Sequence, residues 1–320
     1  MDFLQILALI IPAAIVSAAP IILTSLGGVL SERSGVVNIG LEGLMMFGAF
    51  IGALFTYYGQ EWGLGAASPW MSFVAAIVAG AIFAIPHAIA SISLKADQVV
   101  SGVALNFLAA GLSVFLTKKI FDAGQTPDIQ ERINKGDIPF LSKIPLLGDW
   151  LFSSAYVTSF VAVALAVIVW FVIYKTPFGL RIRSVGEHPM AAETMGINVI
   201  KTRYISVILG GAFAGLGGAI YVATISGNFS ASTISGQGFM ALAAMIFGKW
   251  HPLGAMGAAL FFGLAQSLSI TGEQIPYLKE IPNAILLVLP YVLTILALTG
   301  FVGRADAPKA SGKPYEKGKR

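Results

Sequence analysis

Asn38 and Glu42 are the residues whose types and spacing point most directly at chemistry. They stand four apart in Asn38-Ile39-Gly40-Leu41-Glu42-Gly43, so on a continuous helix they share one face. The sequence around them is strongly apolar. An ionisable side chain at the centre of a membrane helix costs roughly 2.5–3.5 kcal/mol on insertion scales, so it pairs with a partner or faces a wet cavity. Arg33, across the pause Ser31-Glu32-Arg33-Ser34-Gly35, is the expected partner of Glu42. The alternative is that Glu32, Arg33 and Glu42 lie at the membrane surface. Asn106, Asn228, Gln237 and Gln266 are further uncharged polar groups in this sequence. Each either lines a pathway or ties helices together.

Other chemistries find no residues. There is no cysteine, hence no thiolate, disulfide or cysteine nucleophile. His87, His188 and His251 lie far apart, none in an H-E-x-x-H pattern. No G-x-x-x-x-G-K-[ST] run is present to cradle ATP. No cofactor, metal or enzymatic activity is expected. The net charge of +4 equals that of Arg304–Arg320 alone, with six basic and two acidic groups, so it marks no nucleic-acid surface.

The elements that must position Asn38 and Glu42 are membrane helices. Hydrophobic residues make up 56% of the chain and charged ones only 11%, against the ~25% charged usual in soluble domains. The expected fold is an all-α polytopic membrane protein, with one membrane domain over residues 1–303 and a disordered, dispensable basic tail over 304–320. The N-terminus, lacking a basic n-region, reads as the first membrane helix. Phe3–Leu30 is longer than one span needs. Pro12, Pro20, Gly27 and Gly28 interrupt it, so it is either one tilted helix or a helix followed by a broken second. Spans follow at Val36–Tyr58, Trp70–Leu94 (with a kink expected near Pro86), Gln98–Thr117 and Tyr156–Tyr174. The segment 118–154 is placed outside. Then come Tyr204–Ile225, a Gly/Ser-rich break at Ser226–Gly238, a short apolar piece to Phe247, Leu253–Thr271 and Ile281–Phe301.

Lys175–Arg203 divides the chain. Its five basic and two acidic residues place it in the cytoplasm, as they do the basic tail. An even number of crossings therefore separates the two, and about ten crossings result if Ala19–Ser34 crosses as a broken helix. Within the loop, Pro189 suits a first helical position and Gly196 a left-handed stop. So short a helix is unstable alone and must dock. Ala191, Ala192 and Met195 form its expected apolar face, with Glu193 on the rim.

Two halves of the chain echo each other. Leu26-Gly27-Gly28 recurs as Leu216-Gly217-Gly218, each followed by a polar break and a small-residue helix start. Interrupted segments at matching positions are a pointer to a transport pathway. Gly48-x-x-x-Gly52 and Gly211-x-x-x-Gly215 suit close helix packing.

At Ala19–Ala49 a family resemblance enters. That stretch is similar to the N-I-G-x-E-G signature of permease subunits from bacterial ABC importers for nucleosides and simple sugars. These belong to the larger family that holds ribose and branched-chain amino-acid permeases. Thr176–Val199 resembles that family's coupling loop, and Gly236–Gly254 its third block. The resemblance implies a type II-like importer permease in the bacterial cytoplasmic membrane. It implies an ATP-binding subunit docked on 189–196, a second, different permease subunit, and an external lipid-anchored binding protein. The carried substrate would be a nucleoside; a simple sugar such as ribose, or a stand-alone transporter or channel, are the alternatives.

Overall fold

The computed structural model describes residues 3–136, 156–272 and 306–318, with isolated helical positions at 285, 288 and 292. The expected span Ile281–Phe301 and the 137–154 part of the external segment lie outside the described residues. Among those described, seven helices are long and apolar enough to cross a membrane, and Gln237–Phe247 is a shorter apolar helix.

The first helix, α1 (Phe3–Arg33), runs unbroken through Pro12 and Pro20. The separate crossing expected at Ala19–Ser34 does not form. Its glycines are contact points and not breaks: a Cβ on Gly27 would lie 2.4 Å from the Gly210 carbonyl oxygen. The chain then turns through Ser34–Gly40 into α2 (Leu41–Glu61) and α3 (Ser68–Phe83). The expected kink appears as an interruption at Ala84, before α4 (Ile85–Ala88) and a π-turn, Ile89–Ser93. Next are α5 (Gln98–Phe121) and α6 (Val157–Lys175). Asp97 caps α5 by accepting the Val100 N–H at 2.9 Å. Among the described residues, five spans precede the basic loop.

The loop itself is helical. α7 (Pro177–Glu187) and α8 (Pro189–Thr194) are followed directly by α9 (Val199–Tyr221). Pro189 stands at the start of α8, and Gly196 has φ +81°, as their residue types predict. Then α10 (Gln237–Phe247) and α11 (Pro252–Thr271) complete the described bundle. His251 caps α11 with Nδ1 accepting the Gly254 N–H at 3.4 Å. Burial and the nearby Arg33 cation hold the His251 imidazole below its ordinary pKa, consistent with a neutral, accepting ring.

α9 is the hub, packed by α1, α2 and α3. Both GxxxG patterns serve this packing. A Cβ on Gly48 would sit 2.3 Å from the Gly215 oxygen, and one on Gly211 2.4 Å from the Gly80 oxygen. Close approach of this kind replaces the hydrophobic drive that is missing between helices in lipid.

The tail differs from expectation. Residues 306–318 are not a solvated coil against the bundle: Ala310 and Tyr315 are buried. The Ala310 N–H donates to the Gly186 carbonyl at 2.9 Å and the Gly312 N–H to the Gly35 carbonyl at 3.3 Å. Main-chain pairing and two small anchors dock a segment whose side-chain composition is mostly polar.

Candidate functional site

Glu42 begins α2, and its partner is not Arg33. The Glu42 carboxylate accepts the N–H groups of Gly236 and Gly238 at 2.6 Å each, and that of Phe239 at 3.2 Å. These are the unpaired donors at the start of α10. Gly236 makes the turn with φ +98°, beyond easy reach of a side-chain-bearing residue. At 1.5 Å per residue, α10 is about half the thickness of a bilayer core. Its N-terminus therefore opens inside the protein, and the Glu42 charge meets the positive end of its dipole.

The break before α10 is held from outside. Thr126 and Ile129 donate their N–H groups to the Phe229 and Gly227 carbonyls at 2.9 and 2.8 Å. Asn228 donates to Asp128 at 2.8 Å on the exposed outer side, away from Glu42. Phe229 packs edge-on against Phe50 of α2, with ring centroids 5.5 Å apart.

Asn106 of α5 completes the other wall. Its Oδ1 accepts the Gly43 N–H at 2.7 Å, and its Nδ2 donates to the Ile39 carbonyl at 3.1 Å. Glu42 and Asn106 line one cavity of about 550 Å³ together with Met46, Phe107, Ser235 and Phe239. Phe107 is 76% exposed and Phe239 49% exposed on that face. The cavity is thus mostly apolar, with Glu42 and Asn106 as polar points beside an open rim of Phe107 and Phe239.

The remaining predicted residues scatter. Asn38 is buried beside the site; its Oδ1 accepts the Gly40 N–H at 3.1 Å, and its Nδ2 has no partner among the described residues. Gln237, the first residue of α10, is buried, with Nε2 donating to the Tyr221 hydroxyl at 3.2 Å. Gln266 is on α11, where its Oε1 is buried without a partner among the described residues. Arg33 ends α1, where Nε donates to the Trp250 carbonyl at 2.8 Å and Nη2 to the Lys249 carbonyl and the Tyr174 hydroxyl, both at 3.2 Å. Glu32 takes the Trp250 indole N–H at 2.6 Å. The Glu32–Arg33 pair therefore locks α1 to the α10–α11 turn. His87 is a satisfied packing residue, placed between Ser101 Oγ at 3.0 Å and the Val37 carbonyl at 3.1 Å.

In the basic loop, α8 divides its residues by face. Ala191 and Met195 point outward, with Met195 81% exposed, and Glu193 is half-buried on the edge. Ala192 departs from expectation: it is 4% exposed, packed with Val185, Val199 and Tyr315. Sequence reasoning missed Tyr315, although a lone aromatic in a charged tail was the available signal. It also missed the Phe107–Phe239 rim, since nothing in either residue's own neighbourhood marks it.

A bundle of spanning helices with one half-helix opening on a half-buried carboxylate, no ATP-binding motif and a short helix in the basic loop is the architecture of a membrane transport subunit. Residues 10–298 match the family described as "Branched-chain amino acid transport system / permease component", and the chain belongs to that family. It is a multi-pass protein of the cytoplasmic membrane. Over its whole length and theirs, it is 64% identical to the guanosine ABC transporter permease NupQ of Bacillus subtilis and 48% identical to the nucleoside ABC transporter permease NupC of Lactococcus lactis. It is 25% identical, over 89% of this chain and 80% of the relative, to a second Bacillus subtilis protein, the guanosine ABC transporter permease NupP. No solved structure matches the chain.

Proposed function

We propose that this permease carries nucleosides inward, through alternating access powered by a separate ATP-binding subunit. The observation that carries the reading is the Glu42 carboxylate, which holds the opening of α10 beside a cavity lined by Asn106 and aromatic side chains. A nucleoside is an uncharged, polar and flat solute. A mostly apolar cavity whose charge is already neutralised by main-chain donors, beside a rim of phenylalanines, matches those properties. The two relatives aligned over their whole length, both named as guanosine or nucleoside permeases, favour this class over a simple sugar.

The cavity is open along α5 and α10, so a second permease subunit closes it. Two permeases with related names in one bacterium support a pair of unlike subunits. A lipid-anchored binding protein outside delivers the substrate, which leaves the membrane site free to bind weakly. α8 takes the push of the ATP-binding subunit. Glu42 is engaged by three N–H donors and has little freedom to shuttle protons, which counts against a proton-coupled transporter acting alone.

The test is reconstitution of the two permeases with the ATP-binding subunit and binding protein in proteoliposomes. Labelled guanosine should enter only with ATP, and guanosine but not ribose should stimulate hydrolysis. Ribose uptake without nucleoside uptake overturns the substrate class. ATP-independent uptake by the permease overturns the mechanism.

A further inference from the structure

We propose that residues 306–317 form a strap that sets the position of α8 and supplies the second wall of the seat for the ATP-binding subunit. The partner's identity rests on the function proposed above; the strap itself rests on contacts within this chain.

Six residues of helix do not hold their shape in water. α8 is fixed from below through Ala192, and one of the side chains that cover Ala192 comes from the far end of the sequence. Tyr315 packs against Ala192, Val185 and Val199, with Met190 and Ile197 alongside. Burial, and then the Glu193 side chain at the edge of α8, push the Tyr315 phenol up to about 12.

The strap also ties together the elements around α8. It bonds to Gly186 at the end of α7 and to Gly35 after α1. Arg203, in α9, is fully buried and donates through Nη1 to the Lys313 carbonyl at 3.1 Å and through Nε to the Ser34 carbonyl at 3.2 Å. Glu316 pairs with Lys95, in the turn between the π-turn and α5, at 3.6 Å. One segment thus joins four cytoplasmic corners of the bundle. Movement of α8 is passed through it to α1 and α9, the two helices that pack along each other at the core.

Between α8 and the strap lies a groove of about 650 Å³. Glu187, His188 and Met190 line one side, and Lys309, Lys313 and Pro314 the other. It borders the start of α8 at Pro189 and Met190. The occupant is the ATP-binding subunit. The groove lies on the basic, cytoplasmic side, beside the helix that must meet the ATPase, and its mixed aliphatic and charged walls suit a protein edge that releases and rebinds in each cycle.

The absence of cysteine makes the test clean. In inside-out vesicles carrying the full-length permease without the ATP-binding subunit, whose seat would cover Met195, A192C should react with a bulky maleimide about tenfold more slowly than M195C, because its protection tracks local opening. Tyr315→Ala or deletion of 308–320 should raise the A192C rate to that of M195C. In the purified complex, Tyr315→Ala should lose most of the bound ATP-binding subunit and the substrate-stimulated part of hydrolysis. Tyr315→Phe, which keeps the ring, should retain most of both. Equal labelling of A192C and M195C in the intact chain overturns the strap. Full retention and stimulation in Tyr315→Ala, with Ala192 exposed, overturns its part in the seat. If the unsubstituted chain binds no ATP-binding subunit, the function proposed above fails, while the labelling still decides whether the strap docks.

Discussion

At the residue scale the decisive group is Glu42. A carboxylate with three N–H donors is well satisfied, and removing it strands those donors at a partly buried helix start. Each buried unsatisfied donor costs about 1–3 kcal/mol. Glu42→Leu should therefore lower the amount of folded, monodisperse protein extracted from membranes by severalfold, measured by fluorescence-detected gel filtration. Glu42→Gln keeps one accepting oxygen and should fall between the two. Normal yield of Glu42→Leu together with normal uptake would show that α10 starts without its cap. Asn38 and Asn106 support the same junction by main-chain hydrogen bonds, so the N-I-G-x-E-G stretch works as a fitted joint.

At the element scale the matching halves meet each other. α1 and α9 each end in an irregular segment, and the helices that follow, α2 and α10, are joined at their N-termini through Glu42. α8 is the element whose two faces do different work. Its outward Ala191 has room in the free chain, so Ala191→Arg should leave insertion and thermal stability unchanged, within about 0.5 kcal/mol for an exposed site. The bulky charge should still block a tight protein seat, where binding energy concentrates in few residues. Co-purification of the ATP-binding subunit and uptake of labelled guanosine should both be lost. Retention of both with Ala191→Arg would mean that α8 is only a connector. Ala192→Arg is a different experiment, because it displaces Tyr315 and unseats the helix as well.

At the scale of the whole molecule, the exposed cavity face predicts assembly. Phe107 is 76% exposed beside the cavity, and its neighbours Val103 and Phe239 are also exposed. If the second permease covers this face, Phe107→Asp should reduce its co-purification at least about tenfold, as a charge placed in a buried interface core does. The α8 contact with the ATP-binding subunit should survive. An intact permease pair with Phe107→Asp would assign this face to lipid.

What the sequence by itself determined is local. Apolar runs of spanning length placed the helices, because a bilayer demands about 20 such residues whatever lies elsewhere. Pro189 and Gly196 bounded α8, because φ preferences act at single residues. The glycine patterns marked the seam on α9. Only the tertiary structure decided who meets whom. It joined Glu42 to Gly236 and Gly238 in place of Arg33, kept α1 whole, turned Ala192 inward and laid the tail against α8 and the end of α7. The reason is the same in each case. The donors that hold Glu42 and the carbonyls that hold the tail are main-chain groups, which nearly every residue carries and which leave no mark in the pattern of side chains. Likewise, a glycine that permits a break and one that permits close approach are the same letter until a neighbouring backbone is brought against it.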